Sequence, residues 1–309
     1  MDAYGSGFEW RQYSNGELDL NGRHFSIISG GLLIPRFDPS SKVHGPVSIG
    51  GVGRLSSNSG RPLYVHTYAP LIVKDEAYLD TMLIVKTGPS NLILNSTGTH
   101  RTRELYIHQG VVDLQQGSMS VNEIIIGDGA GKDALWLPAN RWNPLYATLG
   151  KPNITLRGTP YGPGAEYATY NPDEAILRMG GNTKQTIGTL RIEDRGTIDW
   201  VGGEVGKANM LFVDKLEFNN ADARLFMRNW YEFEDYLLVK KIGFDHGVLG
   251  KIIFDGLWDL PALAVSYDAN YYVITPYNSP EPGTYGAILG AVGIGLVAWR
   301  KRRRKQATR

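Results

Sequence analysis

Three groups of residues have the types and proximity for chemistry: the Gly-rich run Gly127–Asp133, the six histidines, and the carboxylates Glu232, Glu234 and Asp235. A phosphate-cradling loop needs a glycine five residues before its Gly-Lys and a hydroxyl directly after it. Here Ile126 stands where the first glycine belongs and Asp133 where the hydroxyl belongs, so the pattern fails at both ends. The calcium nonapeptide G-G-x-G-x-D-x-U-x fits from Asp128 to Leu135, with Asp128 replacing the first glycine. Such sites share ligands between successive turns, which a single copy cannot do, so a Gly-rich turn is the better reading. The histidines (His24, His44, His66, His100, His108 and His246) lack the i, i+4 spacing that puts two imidazoles on one helical face for zinc. His100 and His108 flank one strand and read as solvated turn residues. Two carboxylates can serve glycoside hydrolysis, but Glu232, Glu234 and Asp235 fall among Trp230, Tyr231, Phe233 and Tyr236 and read as a solvated face. There is no G-x-S-x-G elbow and no adjacent Asp-Asp pair, and the absence of cysteine excludes thiolate chemistry and disulfides. No catalytic, cofactor-binding or metal-ligating residue is assigned, and a non-enzymatic protein is expected.

The elements that must position any site are short. From Gly16 to Asp255 the chain alternates apolar runs with Gly, Asn, Asp or Ser, as in Leu83-Ile84-Val85, Leu92-Ile93-Leu94, Leu105-Tyr106-Ile107, Val111–Leu114 and Ile124-Ile125-Ile126. The first and third apolar residues of each face one side, the period of a strand, which predicts an all-β fold. Strands of three to five residues arriving in close succession suit a solenoid, whose coils of roughly 20–30 residues carry two or three strands each, better than a sandwich. Glycine supports this: 38 of 309 residues is about 12 %, against a usual ~7 %, and left-handed turn positions need it.

Residues 1–265 read as the solenoid body. Within it, 136–179 holds Pro138, Pro144, Pro152, Pro160, Pro163 and Pro172 and is expected to leave the stack, since proline cannot donate to a central ladder. Ile154–Leu156 and Ile176–Leu177 are candidate strands inside this excursion. Its Tyr161, Tyr167 and Tyr170 suit either a ligand-facing loop or a packed insertion, the latter preferred. The aromatic-rich stretch 230–265 reads as a cap on the open end of the coil rather than a platform for sugars, and 266–279 as a spacer.

The charge of the chain is uneven. Its formal net charge is +1, but seven of the 32 basic residues lie in Arg300–Arg309, leaving a body of 25 bases against 31 acids. A mildly acidic body argues against nucleic-acid binding. Tyr285–Trp299 carries no charge and would be ~22 Å long as a helix, short for a ~30 Å bilayer core but tolerable with snorkelling flanks. Directly after it stand Arg300, Lys301, Arg302, Arg303, Arg304 and Lys305, a stop that favours the cytoplasmic side.

Pro280, Glu281 and Pro282, the apolar run Tyr285–Trp299 and the basic cluster Arg300–Lys305, in that order, resemble the PEP-CTERM sorting signal of Gram-negative bacteria. The resemblance covers 280–305, with 306–309 as a tail. It implies an exosortase-type membrane protease as partner and the cell envelope or exterior as destination. Met1–Trp10 has neither a basic n-region nor an apolar h-region, so the export signal is expected upstream of this chain. A second resemblance lies in Leu83–Leu114, where Lys86, Gly88, Leu92, Leu94, Gly98, Ile107, Gly110 and Leu114 fall on positions of the autotransporter-associated β-strand repeat. Pro89-Ser90-Asn91 and His100 depart from that pattern. This resemblance implies a right-handed parallel β-helix of passenger type. The expected function is a non-enzymatic surface or extracellular-matrix protein, anchored by its C-terminal helix and then processed. The alternatives are a polysaccharide hydrolase or lyase and a glycan-binding adhesin, with extracellular polysaccharide as the remaining partner class.

Overall fold

The computed structural model describes residues 17–276 except 29, 36–45, 59, 130, 160–173, 202–207, 233 and 257–259, together with the backbone of Ala3–Gly5 and Phe8–Glu9. The protein is all-β, with a single 3-10 turn at His246–Lys251 among the described residues. Strands pair in parallel, each with the strand that follows one coil later in the chain. Three faces result. Face 1 runs through Val47–Gly50, Asn91–Ser96, Gly110–Asp113, Asp133–Trp136, Ala175–Met179, Arg195–Trp200, Arg224–Arg228 and Ile252–Phe254. Face 2 includes Arg23–Ile27, Val52–Ser57, Ser118–Ser120, Leu145–Tyr146 and Asp235–Lys240, and face 3 includes Leu63–Thr67, Glu123–Ile126 and Asn153–Leu156. The single strand Leu71–Thr87 bends around all three, pairing with Asn91–Ser96, then Val52–Ser57, then Leu63–Thr67.

Parallel stacking turns strand alternation into columns. On face 1, Val47, Leu71, Leu92, Val112, Leu135, Leu177, Ile198, Met227 and Phe254 follow one another in direct register, and all are buried. On face 3, Leu63, Ile84, Leu105, Ile124, Ile154 and Leu190 form a second buried column. Each side chain contributes roughly 1.5–3 kcal/mol by leaving water, and each packs on its counterparts about 4.8 Å above and below. The corners between faces need left-handed backbone. Gly110 has φ 83°, and a Cβ there would lie 2.6 Å from the Gly88 carbonyl oxygen. Among the described residues, the non-glycine positions with positive φ are asparagines plus Asp75. Asp75, at φ 59°, turns Leu71–Thr87 from face 1 to face 2 without breaking the ladder. That is why this strand spans 17 residues where short separate runs are expected.

Region 136–179 stays in the stack as far as it is described. Leu145 pairs with Met119, Ile154 with Ile124 and Leu156 with Ile126. Within the expected excursion, Leu145–Tyr146, Asn153–Leu156 and Ala175–Met179 are therefore strands of the stack. Pro138, Pro144 and Pro152 sit between strands, and their carbonyls accept hydrogen bonds from Thr183, Met119 and Gly188. Pro160, Pro163, Pro172, Tyr161, Tyr167 and Tyr170 lie outside the described residues. The face 2 strand of this coil has only two residues, and Gln185 compensates for it. Its amide accepts from the Leu145 N–H (3.1 Å) and donates to the Leu145 carbonyl (2.9 Å), as a peptide group would.

The stack ends by reversing direction. Tyr271–Pro276 lies antiparallel to both Asp235–Lys240 and Ala262–Ser266. Aromatic rings gather here, with Trp230 against Phe254 (5.0 Å) and Tyr271 against Phe212 (5.4 Å). Residues 266–276, expected as spacer, belong to this terminal hairpin because their alternating Tyr-Val-Ile pattern completes the covered edge. Leu135→Ala, in the middle of the face 1 column, should cost about 2–5 kcal/mol in equilibrium urea unfolding, whereas Met82→Ala on the surface should stay within about 0.5 kcal/mol.

Candidate functional site

Polar chemistry gathers in two places, inside the coil and in a groove outside it. Inside, Lys86 occupies an apolar face 3 column between Val65 and Ile107, fully buried. Its ammonium donates to the carbonyls of Thr87 (2.9 Å), Gly88 (2.8 Å) and Gln109 (2.8 Å), which uses all three of its hydrogens at one corner. The absent side chain of Gly110 leaves the room, since a Cβ there would lie 3.0 Å from Nζ. Nearby, Asp133 ends the Gly127–Asp133 turn and points inward, in register with Gly110 and Ala175. Burial holds the Lys86 ammonium down at about 7, against the pull of Asp133. Burial and the neighbouring Asp128 push the Asp133 carboxyl up to about 8, and its Oδ1 has no hydrogen-bond partner. The Gly-rich run is thus a corner from face 3 to face 1. Among the described residues no three His, Asp or Glu gather to hold a metal.

His100 is fully buried on face 2, which corrects its reading as a solvated turn residue. It lies in register with Met119, so strand alternation directs it inward. Nδ1 accepts from the Leu79 N–H (3.2 Å), so Nε2 carries the hydrogen and donates to Ser96 Oγ (3.1 Å). Burial lowers its imidazole to about 4. Of the carboxylates in the aromatic stretch, Asp235 is held within the fold. Asp235 Oδ1 accepts from Asn209 Nδ2 (2.8 Å) and Oδ2 from the Tyr231 N–H (2.8 Å), with the residue buried in register with Asn209. Burial raises its carboxyl nonetheless. Glu232 and Glu234 are half-buried beside it. On the outer side of face 1, Glu174 accepts from Arg195 (3.4 Å) and Arg228 (2.9 Å), tying three coils together.

The outer groove runs along the corner between faces 2 and 3. Two continuous depressions of about 520 and 710 Å³ share Asp80 and Thr81. Arg54 donates to Asp80 (3.1 Å) and to His24 Nδ1 (2.9 Å), and His24 Nε2 lies 2.7 Å from Ser56 Oγ. That last distance suits a base and a nucleophile, but the chemistry is reversed. A guanidinium only donates, so Nδ1 holds the lone pair and Nε2 the hydrogen, and His24 donates to Ser56 instead of removing its proton. The arrangement fixes the orientation of the His24 ring and of the Ser56 hydroxyl. No signal in the sequence marks this groove, because its residues come from separate coils.

Pro280, Glu281, Pro282 and Arg300–Lys305 lie outside the described residues, as does Tyr285–Trp299. Among the described residues no helix is long and apolar enough to cross a membrane. Comparison with family models, with curated proteins and with solved structures finds no match for this chain.

The buried groups set opposing pH responses. Asp133 binds its proton in the folded chain from about pH 4 to about 8 while the unfolded chain has lost it, so its stabilisation is lost as pH rises through that window. For His100 the unfolded chain protonates first, so stability is lost as pH falls from about 6.5 to about 4. In thermal melts across this range, Asp133→Asn should flatten the alkaline side and His100→Gln the acid side. Asp235→Ala should cost about 1–3 kcal/mol in urea unfolding by orphaning its two donors, and Glu234→Gln less than about 0.5 kcal/mol.

Proposed function

We propose that this chain is a non-enzymatic, exported surface or extracellular-matrix protein of a Gram-negative bacterium, with a body that is a right-handed parallel β-helix. The hand is the one that the resemblance of Leu83–Leu114 to the autotransporter-associated β-strand repeat implies, and the bias of connections between parallel strands favours it. Tyr285–Trp299 crosses the membrane, Arg300–Lys305 stops transfer, and an exosortase-type protease recognises Pro280, Glu281 and Pro282. The observation that carries this reading is the order of those three parts within 280–305. The non-enzymatic reading draws support from the described polar groups. Asp235 spends both carboxylate oxygens on Asn209 and Tyr231, and His24 presents a hydrogen to Ser56 rather than a lone pair.

Mass spectrometry of the C-terminal peptide from native cells tests the sorting. The expected mature end lies between Pro280 and Thr284, with Tyr285–Arg309 absent. A cytosolic chain that retains Arg309 overturns the reading.

A further inference from the structure

We infer that the groove between faces 2 and 3 binds a linear acidic polysaccharide, laid along the axis of the coil. The inference names a partner for the proposed surface role and rests on that role, but the groove belongs to the body and is testable without the tail.

Its geometry suits an extended polymer. Outward residues stack in register along the axis: Ser26 on Ser56, Asp80 on Arg101, Arg101 on Ser120, and Ser120 on Tyr146. At about 4.8 Å per strand, these coils extend over roughly 24 Å, the length of an oligosaccharide rather than of one sugar. Eight of its 18 lining residues carry a hydroxyl, and hydroxyls both donate and accept, as sugar hydroxyls require.

Its charge suits a sparse polyanion. Arg101 has the Tyr78 ring at 6.0 Å, and among the described residues it has no carboxylate within salt-bridge distance, while its neighbour Asp80 pairs with Arg54. Arg103 is mostly exposed and only loosely paired with Glu104 (3.7 Å). These guanidiniums lie on a body with 25 bases against 31 acids, so the groove is a local reversal of sign. Each presents a planar fork that matches a carboxylate. A nucleic-acid strand, with a phosphate every ~3.4 Å, would place charge against Asp80 as well. A polyuronate carries less charge along its length than such a strand and offers hydroxyls between its carboxylates.

The test is affinity electrophoresis of the full chain through gels containing polygalacturonate, dextran or single-stranded DNA. Polygalacturonate should retard it, with an effect that weakens as salt rises. Arg101→Ala should reduce that affinity about tenfold, the scale of one charge-assisted contact, and Arg103→Ala should also weaken it. Lys215→Ala, outside the groove, should leave it unchanged. Circular dichroism melts on each variant separate lost binding from lost folding. No retardation by polygalacturonate, equal retardation by DNA, or insensitivity to Arg101→Ala in a folded variant each overturns the groove assignment. None of these bears on the C-terminal peptide mass, so sorting and ligand binding fail separately.

Discussion

Direct register between parallel strands is the constraint on which the rest of this structure depends. Once Leu92 is hydrogen-bonded beside Leu71 and Val112, the side chain at that position has no neighbours of its own choosing. It must fill the same lateral space as the residues above and below it. An aliphatic column meets that demand at every level, and a polar group within one must bring its own partners. Lys86 does so by turning to a corner where three carbonyls converge, and His100 by using the Leu79 N–H and Ser96. Asn209 and Asp235 solve the same problem as a pair in register. Lys86, His100 and Asp235 thus spend their hydrogen bonds inside the fold, whereas Asp133 keeps one oxygen without a partner.

The outer surface is under a different rule. Outward positions also stack, but solvent relaxes the demand for like on like, so Arg101 can stand between Asp80 and Ser120. Chemistry that must reach a ligand belongs here. The hydrogen-bond chain from Asp80 through Arg54 and His24 to Ser56 is such an arrangement, assembled from three successive coils. Because Arg54 dictates which His24 nitrogen carries hydrogen, the chain fixes orientation and cannot take up a proton from Ser56.

Strand period and glycine content make the all-β class legible in the sequence, and the aliphatic positions Leu92, Leu94, Leu105 and Ile107 can be read as inward-facing from alternation alone. The left-handed corners follow from Gly and Asn for the same reason, since few other residues tolerate that backbone. What cannot be read is which coil a residue meets. His100 looks like a turn residue because its inward direction depends on register with Met119, set by pairing across coils. Proline density around Leu145 reads as departure from the stack, although prolines placed between strands cost no ladder bond. The groove is invisible for the same reason as His100, with Arg54, Asp80 and Arg101 far apart along the chain.

The coil containing Leu145 has a further consequence for how such a chain can change. Leu135 and Leu177 are stacked neighbours although many more residues separate them than separate Leu71 from Leu92. The column keeps its register across this longer stretch of chain, and doubling a loop adds only about 0.6 kcal/mol of closure entropy. Gln185 shows how the thinnest rung is made good, with one side chain supplying the bonds of a peptide unit. Corners are thus the places where this architecture can accept inserted sequence, whole segments at a time, without renegotiating its interior.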